Sequence, residues 1–396
     1  MLEISAALEI VLRFARPLPA EPTTLGVSVL GQIVAKDLAA DIDSPPFTKA
    51  LMDGYALRVG DLVDGRAVLT VVDELPAGKS PAVSVRAGEA IRIFTGAVMP
   101  EVADAVVMQE RCGRVGDTVT VADTGLTVGK NVLPRGAEMA AGEVVVPAGS
   151  RIAPALLGLL AGIGRTDARL FGRPRVGVLA TGSELVDAMR VPTAGQIRNT
   201  NGPMLLAQAY LRGGVSHDFG IGPDDEAALV HSISTALDQS DILLVAGGVS
   251  VGDYDLVPKV LRSLGVEVHF HKVRMKPGKP LLFGTLGEKL VFGLPGNPGS
   301  AFIGFELFVA PAIRAMLGYA DPGPRTRMLK LTDGLKANHD RPTYHPAIVD
   351  GGSVRALPWV GSADLRSLAK VNGFVVLPSG PVEYAAGETV NTLVVE

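Results

Sequence analysis

The sequence predicts a multidomain protein of the α/β-plus-β class, and three observations predict it. Residues 41–145 are short apolar runs broken by Gly, Pro and Asp, as in "AVLTVVDELPAG" and "EAIRIFTGAVMP", which is how strands and turns are written. From about residue 174, apolar runs of strand length alternate with helical periods, which argues a largely parallel sheet covered by helices. After a linker candidate, "ADPGPRTR" (320–327), the chain returns to short strands and turns, a small β unit.

Composition bounds what such a protein does. A chain of 396 residues divides into more than one domain. A net charge of −4 and a pI near 5.9 give no global attraction to nucleic acid or to a membrane surface, so an anion site has to be local. The lone Cys112 excludes an intrachain disulfide framework, suits a reducing cytoplasm, and has no evident base beside it, so it reads as structural. Mean hydropathy is high at +0.31. Yet no apolar run approaches the ~20 residues that span a bilayer. The opening "MLEISAALEIVLRFARPLP" sets Leu8, Val11, Leu12 and Ala15 at helical spacing. Glu3 and Glu9 interrupt it, and a basic leader region is missing. It reads as an amphipathic helix ended by Pro17. The expectation is a cytoplasmic protein with no membrane and no nucleic-acid partner, and no repeat of fixed period.

The elements follow in order. "APALLGLLAGIG" reads as a short buried helix. "RVGVLAT" is a buried strand, "GPMLLAQAYLRGG" a helix with a glycine stop, and "DDEAALVHSISTALDQS" a helix with acidic residues at its start. "DILLVAGG" is a strand and "YDLVPKVLRSLG" a helix. "VEVHFHKV" is a strand, "LVFGLPGNP" ends another, and "SAFIGFELFVAPAIRAML" is a long helix.

In open α/β sheets ligands bind outside the carboxyl ends of the strands. Three strands here end in unusual loops. "VLATGSEL" brings Thr181, Gly182, Ser183 and Glu184; "VAGGVSVGDYD" brings Gly247, Gly248, Ser250, Gly252, Asp253 and Asp255; "FGLPGNP" brings Gly293, Pro295, Gly296, Asn297 and Pro298. One such loop is a weak signal; three predict a single crevice. Asp255 precedes "LVPKVL", so it also fits an N-cap, with Pro258 tolerated in a first helical turn. In "HFHKVRMKPGKP", Lys272, Arg274 and Lys276 share one face of an extended strand and Lys279 follows a Pro-Gly turn. That row is either a charged sheet edge or an anion cradle. His269 and His271 face the other way and read as ordinary, partly buried histidines. Carboxylates beside a polyphosphate make sense with a hard cation between them, because Mg²⁺ is held by one or two carboxylates plus phosphate oxygens. The α/β unit lacks G-x-x-x-x-G-K-[ST], so it is no P-loop NTPase, and its strand ends lack G-x-G-x-x-G. The β-rich region adds a polar cluster: Asp53 in a tight Asp-Gly turn, Thr95, Asp104 and Glu110.

Six stretches, "ALMDGYALR", "IFTGAVMPEVADAVVMQE", "LATGSEL", "AGGVSVGDYD", "RMKPGKP" and "GLPGNPGSA", resemble in content and order the molybdopterin molybdenumtransferases, the bacterial MoeA proteins and the E domain of gephyrin. With "WVGSADLRSLAKVNGF" the likeness runs from Ser44 to Asn372. It implies an elongated homodimer whose protomer has four subdomains. These are a linking subdomain (20–40 with 143–173), a β-rich subdomain (41–142), a MogA-like α/β domain (1–19 with 174–319), and a C-terminal β-barrel (320–396). In the family the active cleft uses the α/β unit of one protomer and the second subdomain of the other. The resemblance also implies the reaction. Adenylylated molybdopterin and molybdate react with Mg²⁺ or a similar divalent ion present, the pyrophosphate bond is cleaved, AMP leaves, and the dithiolene takes molybdenum.

Carried over by position, Asp53, Thr95, Glu184, Lys272 and Lys276 would be catalytic. Asp224 and Asp255 would hold the metal. Ser362, also matched by position, and the strand-end and basic-row residues Thr181, Gly182, Gly247, Gly248, Ser250, Gly252, Lys279, Pro295, Gly296 and Asn297, read from the crevice itself, would bind the pterin nucleotide. Partners would be a molybdopterin adenylyltransferase and acceptor molybdoenzymes. Several positions depart from the family pattern. In "KNVLPRGAEM", Leu133 and Pro134 stand where arginines are common, leaving Arg135. Glu138 shifts a carboxylate, and Pro346 replaces an arginine of an F-x-R pattern. Arg198 stands at an aromatic position and adds a cation. The departures keep open a non-catalytic binder of molybdopterin or molybdate, or a scaffold; an adenylyltransferase is a further alternative.

Overall fold

The computed structural model describes residues 1–395 except 224 and 250–255. It divides into two compact units, Met1–Ala35 with Arg151–Ala153 and Asp167–Glu396, and Lys36–Ser150 with Pro154–Thr166.

The first unit is built on a six-stranded sheet. Its spatial order is Val215–Gly222, Arg175–Thr181, Ile242–Ala246, Lys289–Leu294, Pro280–Leu286 and Glu267–Lys272. The first four strands run parallel and the last two antiparallel. The central strands are apolar throughout because helices cover both faces; all five residues of Ile242–Ala246 are buried. On one face lie the N-terminal helix Ile4–Phe14, through Ala7 and Val11, and the stretch Pro298–Met316. Val257, Val260 and Leu261 of the helix Val257–Ser263 pack on the other, with Leu229 and Ile233 of the helix Glu226–Gln239. The Asp225 carboxylate accepts from the Ala228 amide and caps that second helix. Against the expectation that no apolar run approaches bilayer length, Pro298–Met316 is long and apolar enough to cross a membrane, but 89% of its most apolar stretch is buried inside the fold.

The expected long helix contains a π turn at Phe305–Val309. The extra residue turns Glu306 into the core, where the Gln208 amide donates to Oε1 at 2.7 Å and the Arg212 guanidinium to Oε2 at 2.8 Å. The chain ends in a closed barrel of Thr326–Leu331, Ser353–Ala356, Thr343–Asp350, Gly373–Leu377 and Thr389–Val394, filled by Leu329, Leu331, Val354 and Val375.

The second unit carries a mixed six-stranded sheet, ordered Ala105–Met108, Gly54–Leu57, Glu89–Ile93, Arg66–Leu75, Thr118–Ala122 and Cys112–Val115. Period-two alternation sends Tyr55 and Leu57 to one apolar cluster and Ala56 to the other. Cys112 is partly buried, and desolvation pushes its thiol up to about 11, which removes thiolate reactivity at neutral pH and agrees with a structural role.

Three expectations need correction. The helix Pro154–Gly162 buries only Leu160, because its apolar residues surround the axis and no stripe faces a single neighbour. The strand Pro280–Leu286 was not anticipated. Gly284 weakens the strand pattern, yet a Cβ there would lie 2.7 Å from the Glu267 carbonyl oxygen, so close pairing requires the glycine. The strand carrying the basic row ends at Lys272, and register shifts interrupt its alternation before that.

Candidate functional site

Three neighbouring parallel strands end side by side at Thr181, Ala246 and Leu294, as their loops predicted. The Gly247 amide donates to the Leu294 carbonyl at 2.9 Å and ties two of these ends together. Gly247 has φ +98°, and a Cβ there would collide with the Thr181 carbonyl oxygen. Gly248 has φ +60°, and a Cβ would lie 2.9 Å from Val257 and 3.0 Å from Thr181 Oγ1. The glycines thus keep backbone where side chains would fill the crevice floor. Gly247→Ala combines a disfavoured φ with that collision and is expected to cost about 1–3 kcal/mol, read as a lowered urea midpoint at unchanged m.

Above this floor lies a cavity of about 820 Å³, lined by Thr181, Glu184, Arg198, Asn201, Gly248 and Asn297 among others. Thr181 is 3% exposed, and its hydroxyl has no partner among the described residues. Asn201 Nδ2 donates to the Gly296 carbonyl at 2.8 Å, while its buried Oδ1 has no partner among the described residues. A buried hydroxyl and a buried amide oxygen left open toward a cavity are what a polar ligand completes. Asn201 was missed from the sequence, where it stands in "RNTN" without a strand-end glycine to mark it.

A second cavity, of about 540 Å³, shares Pro280, Pro295 and Asn297 with the first. Lys276, Lys279, His339, Arg341 and Ser362 line it, with no carboxylate among its described lining residues. Ser362 comes from the barrel unit, and its carbonyl accepts from the Gly299 amide at 2.8 Å. His339 and Arg341 were not anticipated, since "NHDRP" carries no motif and the contact spans the chain.

The basic row is dispersed. Lys272 is half-buried at its strand end, its carbonyl accepting from the Leu2 amide, and it lines neither cavity. Arg274 pairs with Glu3 of the N-terminal segment at 3.2 Å, and only Lys276 and Lys279 reach the second cavity. His269 stacks on Phe14 and His271 meets the Val249 carbonyl, both partly buried. Asp224, Ser250, Gly252, Asp253 and Asp255 lie outside the described residues, and so does the N-cap reading of Asp255.

In the second unit Asp53 and Thr95 are brought together. The Thr95 amide and hydroxyl donate to Asp53 Oδ1 at 2.8 and 2.7 Å. Those two donors hold the carboxyl below its ordinary value, the backbone amide foremost. Thr95→Val removes one donor, so the Asp53 pKa is expected to rise toward 3.8 in a carboxylate NMR titration. Asp104 does not join them. It accepts from the Val59 amide at 2.8 Å, a structural bond. Arg135, the cation left in the divergent segment, is neutralised by Asp43 at 2.6 Å. Glu138 accepts from Ser44 and pairs with Lys49. Pro346 is buried in the barrel opposite Phe374.

Family models described as "MoeA N-terminal region (domain I and II)", "Probable molybdopterin binding domain" and "MoeA C-terminal region (domain IV)" match residues 2–164, 177–315 and 328–395. The chain is 34% identical to a molybdopterin molybdenumtransferase of Staphylococcus aureus (strain COL), covering 99% of this chain and 95% of that one. It is 36% identical to another from Nostoc sp. (strain PCC 7120), covering 92% and 86%. The crystal structure of a molybdopterin biosynthesis MoeA protein from Pyrococcus horikoshii OT3 superposes over 100% of both chains with TM-score 0.85 at 30% identity.

Proposed function

Because the chain belongs to the MoeA family of molybdopterin molybdenumtransferases, we propose that its strand-end crevice binds adenylylated molybdopterin and that the adjoining cationic pocket stabilises the charge that develops as AMP leaves. The chain is a transferase of molybdenum cofactor biosynthesis. The observation that supports the finer reading is the pairing of two cavities. Among the described residues, one has a glycine floor and a Thr181 hydroxyl with no partner; the other is lined by Lys276, Lys279 and Arg341 without a carboxylate.

In this reading Thr181 and Asn201 orient the pterin nucleotide. Lys276, Lys279 and Arg341 face phosphate or molybdate oxygens, where preorganised charge lowers the barrier more than it tightens ground-state binding. Glu184 folds back over Gly182 at the crevice mouth, where a Cβ on the glycine would come 2.5 Å from its carboxylate. Its oxygens suit a hard cation, which needs one or two protein carboxylates when phosphate supplies the rest. Glu184, with Asp224 and Asp255 from outside the described residues, would hold Mg²⁺, which screens the phosphate oxygens when bound. Among the described residues no group of three His, Cys, Asp or Glu comes together as a metal site. The reading includes a homodimer, as the family resemblance implies, and a reducing cytoplasm, for which the lone cysteine is the sequence's support.

A second reading, a molybdopterin binder without turnover, is favoured by one set of observations: Leu133 and Pro346 carry no charge, and Arg135 is spent on Asp43. The two separate in a single-turnover assay on adenylylated molybdopterin, with and without EDTA. AMP release that EDTA abolishes supports the transferase with its cation. Tight pterin binding with no AMP release at any Mg²⁺ concentration supports the binder and overturns the proposal.

A further inference from the structure

Lys276 is held in the pocket at both its backbone and its side chain. Its backbone is clamped onto the barrel from both sides: the Lys276 amide donates to the Pro342 carbonyl at 2.9 Å, and the Tyr344 amide donates to the Lys276 carbonyl at 2.8 Å. Among the described residues its side chain then meets one partner, His339 Nδ1, at 3.1 Å. A lysine ammonium has donors only, so Nδ1 must accept, which places the imidazole proton on Nε2 and makes the ring neutral. One Nζ hydrogen is used this way, and the other two remain for oxygens in the pocket.

We propose that His339 is a positioning residue that holds the Lys276 ammonium in place for the transfer step, an inference that rests on the transferase reading. The bond exists in one protonation state only. An imidazolium presents a donor at Nδ1, and two like charges 3.1 Å apart repel. The surroundings favour the neutral ring: burial and the Lys276 charge both lower the His339 pKa from 6.5, while Asp340 opposes them. The groups that face it are Lys276 from the α/β unit, Asp340 and Arg341 on its own turn, paired with each other at 3.0 Å, and His345 on the adjoining strand. Lys279 lines the same cavity. Neutral His339 therefore persists through neutral pH, and the hold on Lys276 is released on the acid side.

The test uses His339→Asn, whose amide oxygen reaches nearly the position of Nδ1 but does not titrate, and His339→Leu, which has no acceptor. The first readout is independent of activity: competitive acetylation by acetic anhydride, with Lys276 and Lys279 quantified by peptide mass spectrometry. Lys276 is expected to label severalfold faster in His339→Leu than in wild type and to return toward wild type in His339→Asn, while Lys279 is unchanged. The second readout is the pH profile of AMP release. Wild type loses kcat on an acid limb below the ordinary histidine range, and His339→Asn lacks that limb while keeping most of kcat at neutral pH. Equal Lys276 labelling in wild type and His339→Leu, or an acid limb unchanged in His339→Asn, overturns the proposal. Should wild type release no AMP, the transferase reading fails by itself and the labelling still decides the role of His339. Circular dichroism identifies a variant that does not fold, and His339→Asn then carries the test.

Discussion

Lys276→Ala is expected to lower the single-turnover rate of AMP release by about 10²–10³-fold, the loss seen when one preorganised charge-stabilising donor is removed. The geometry makes this lysine different from its neighbours. Lys279 is exposed at a turn, and Arg341 shares its charge with Asp340. Lys276 is fixed by two backbone bonds and by His339, so its ammonium costs little to organise at the moment of reaction. The loss should fall on kcat more than on KM, since a charge that develops during AMP departure is met only in the transition state. Lys272→Ala is the contrast. That side chain lines neither cavity, and its removal should cost less than about tenfold. Equal losses in the two variants, with thermal melting unchanged, would contradict the assignment of the pocket.

Glu306→Ala is expected to destabilise the first unit by about 3–5 kcal/mol, because removing one partner of a buried ion pair leaves the other's charge in a poorly solvated place. The Glu306 side chain is 6% exposed and that of Arg212 10%. The alanine variant deprives both Arg212 and Gln208 of the carboxylate that accepts from them at 2.8 and 2.7 Å. It also empties the space that the π turn of Phe305–Val309 made for the side chain. Glu306→Gln keeps the volume and one acceptor and should lose less. Urea unfolding followed by far-UV circular dichroism checks both, with the two midpoints falling in that order. An alanine variant within about 1 kcal/mol of wild type would mean that water replaces the carboxylate.

The parts of the fold legible in the sequence were those with local signatures. Ile242–Ala246 and Lys289–Leu294 read as unbroken apolar runs because parallel strands are covered on both faces. The glycines and prolines that follow them marked one crevice, and the structure sets Thr181, Gly248 and Asn297 on its walls. The family likeness carried what no spacing shows, the pterin substrate above all. Illegible were the features set by distant contact. Alternation alone placed Lys272, Arg274 and Lys276 on one face, but register shifts before Lys272 and the claim of Glu3 on Arg274 separate them. His339 reaches Lys276 across sixty-three residues, and nothing in "LKANHDRP" announces it. The apolar helix Pro154–Gly162 looked like core because composition says nothing about how many sides a helix has covered.

The most direct test of the transferase account is a single-turnover measurement on the purified chain loaded with adenylylated molybdopterin. AMP and molybdenum bound to the pterin dithiolene are quantified together, with molybdate and Mg²⁺ supplied and omitted in turn. The account predicts one AMP released for each molybdenum bound, with both lost when molybdate or the cation is withheld and both slowed together in Lys276→Ala. AMP release that proceeds equally without molybdate, or pterin held tightly with neither product formed, would contradict it.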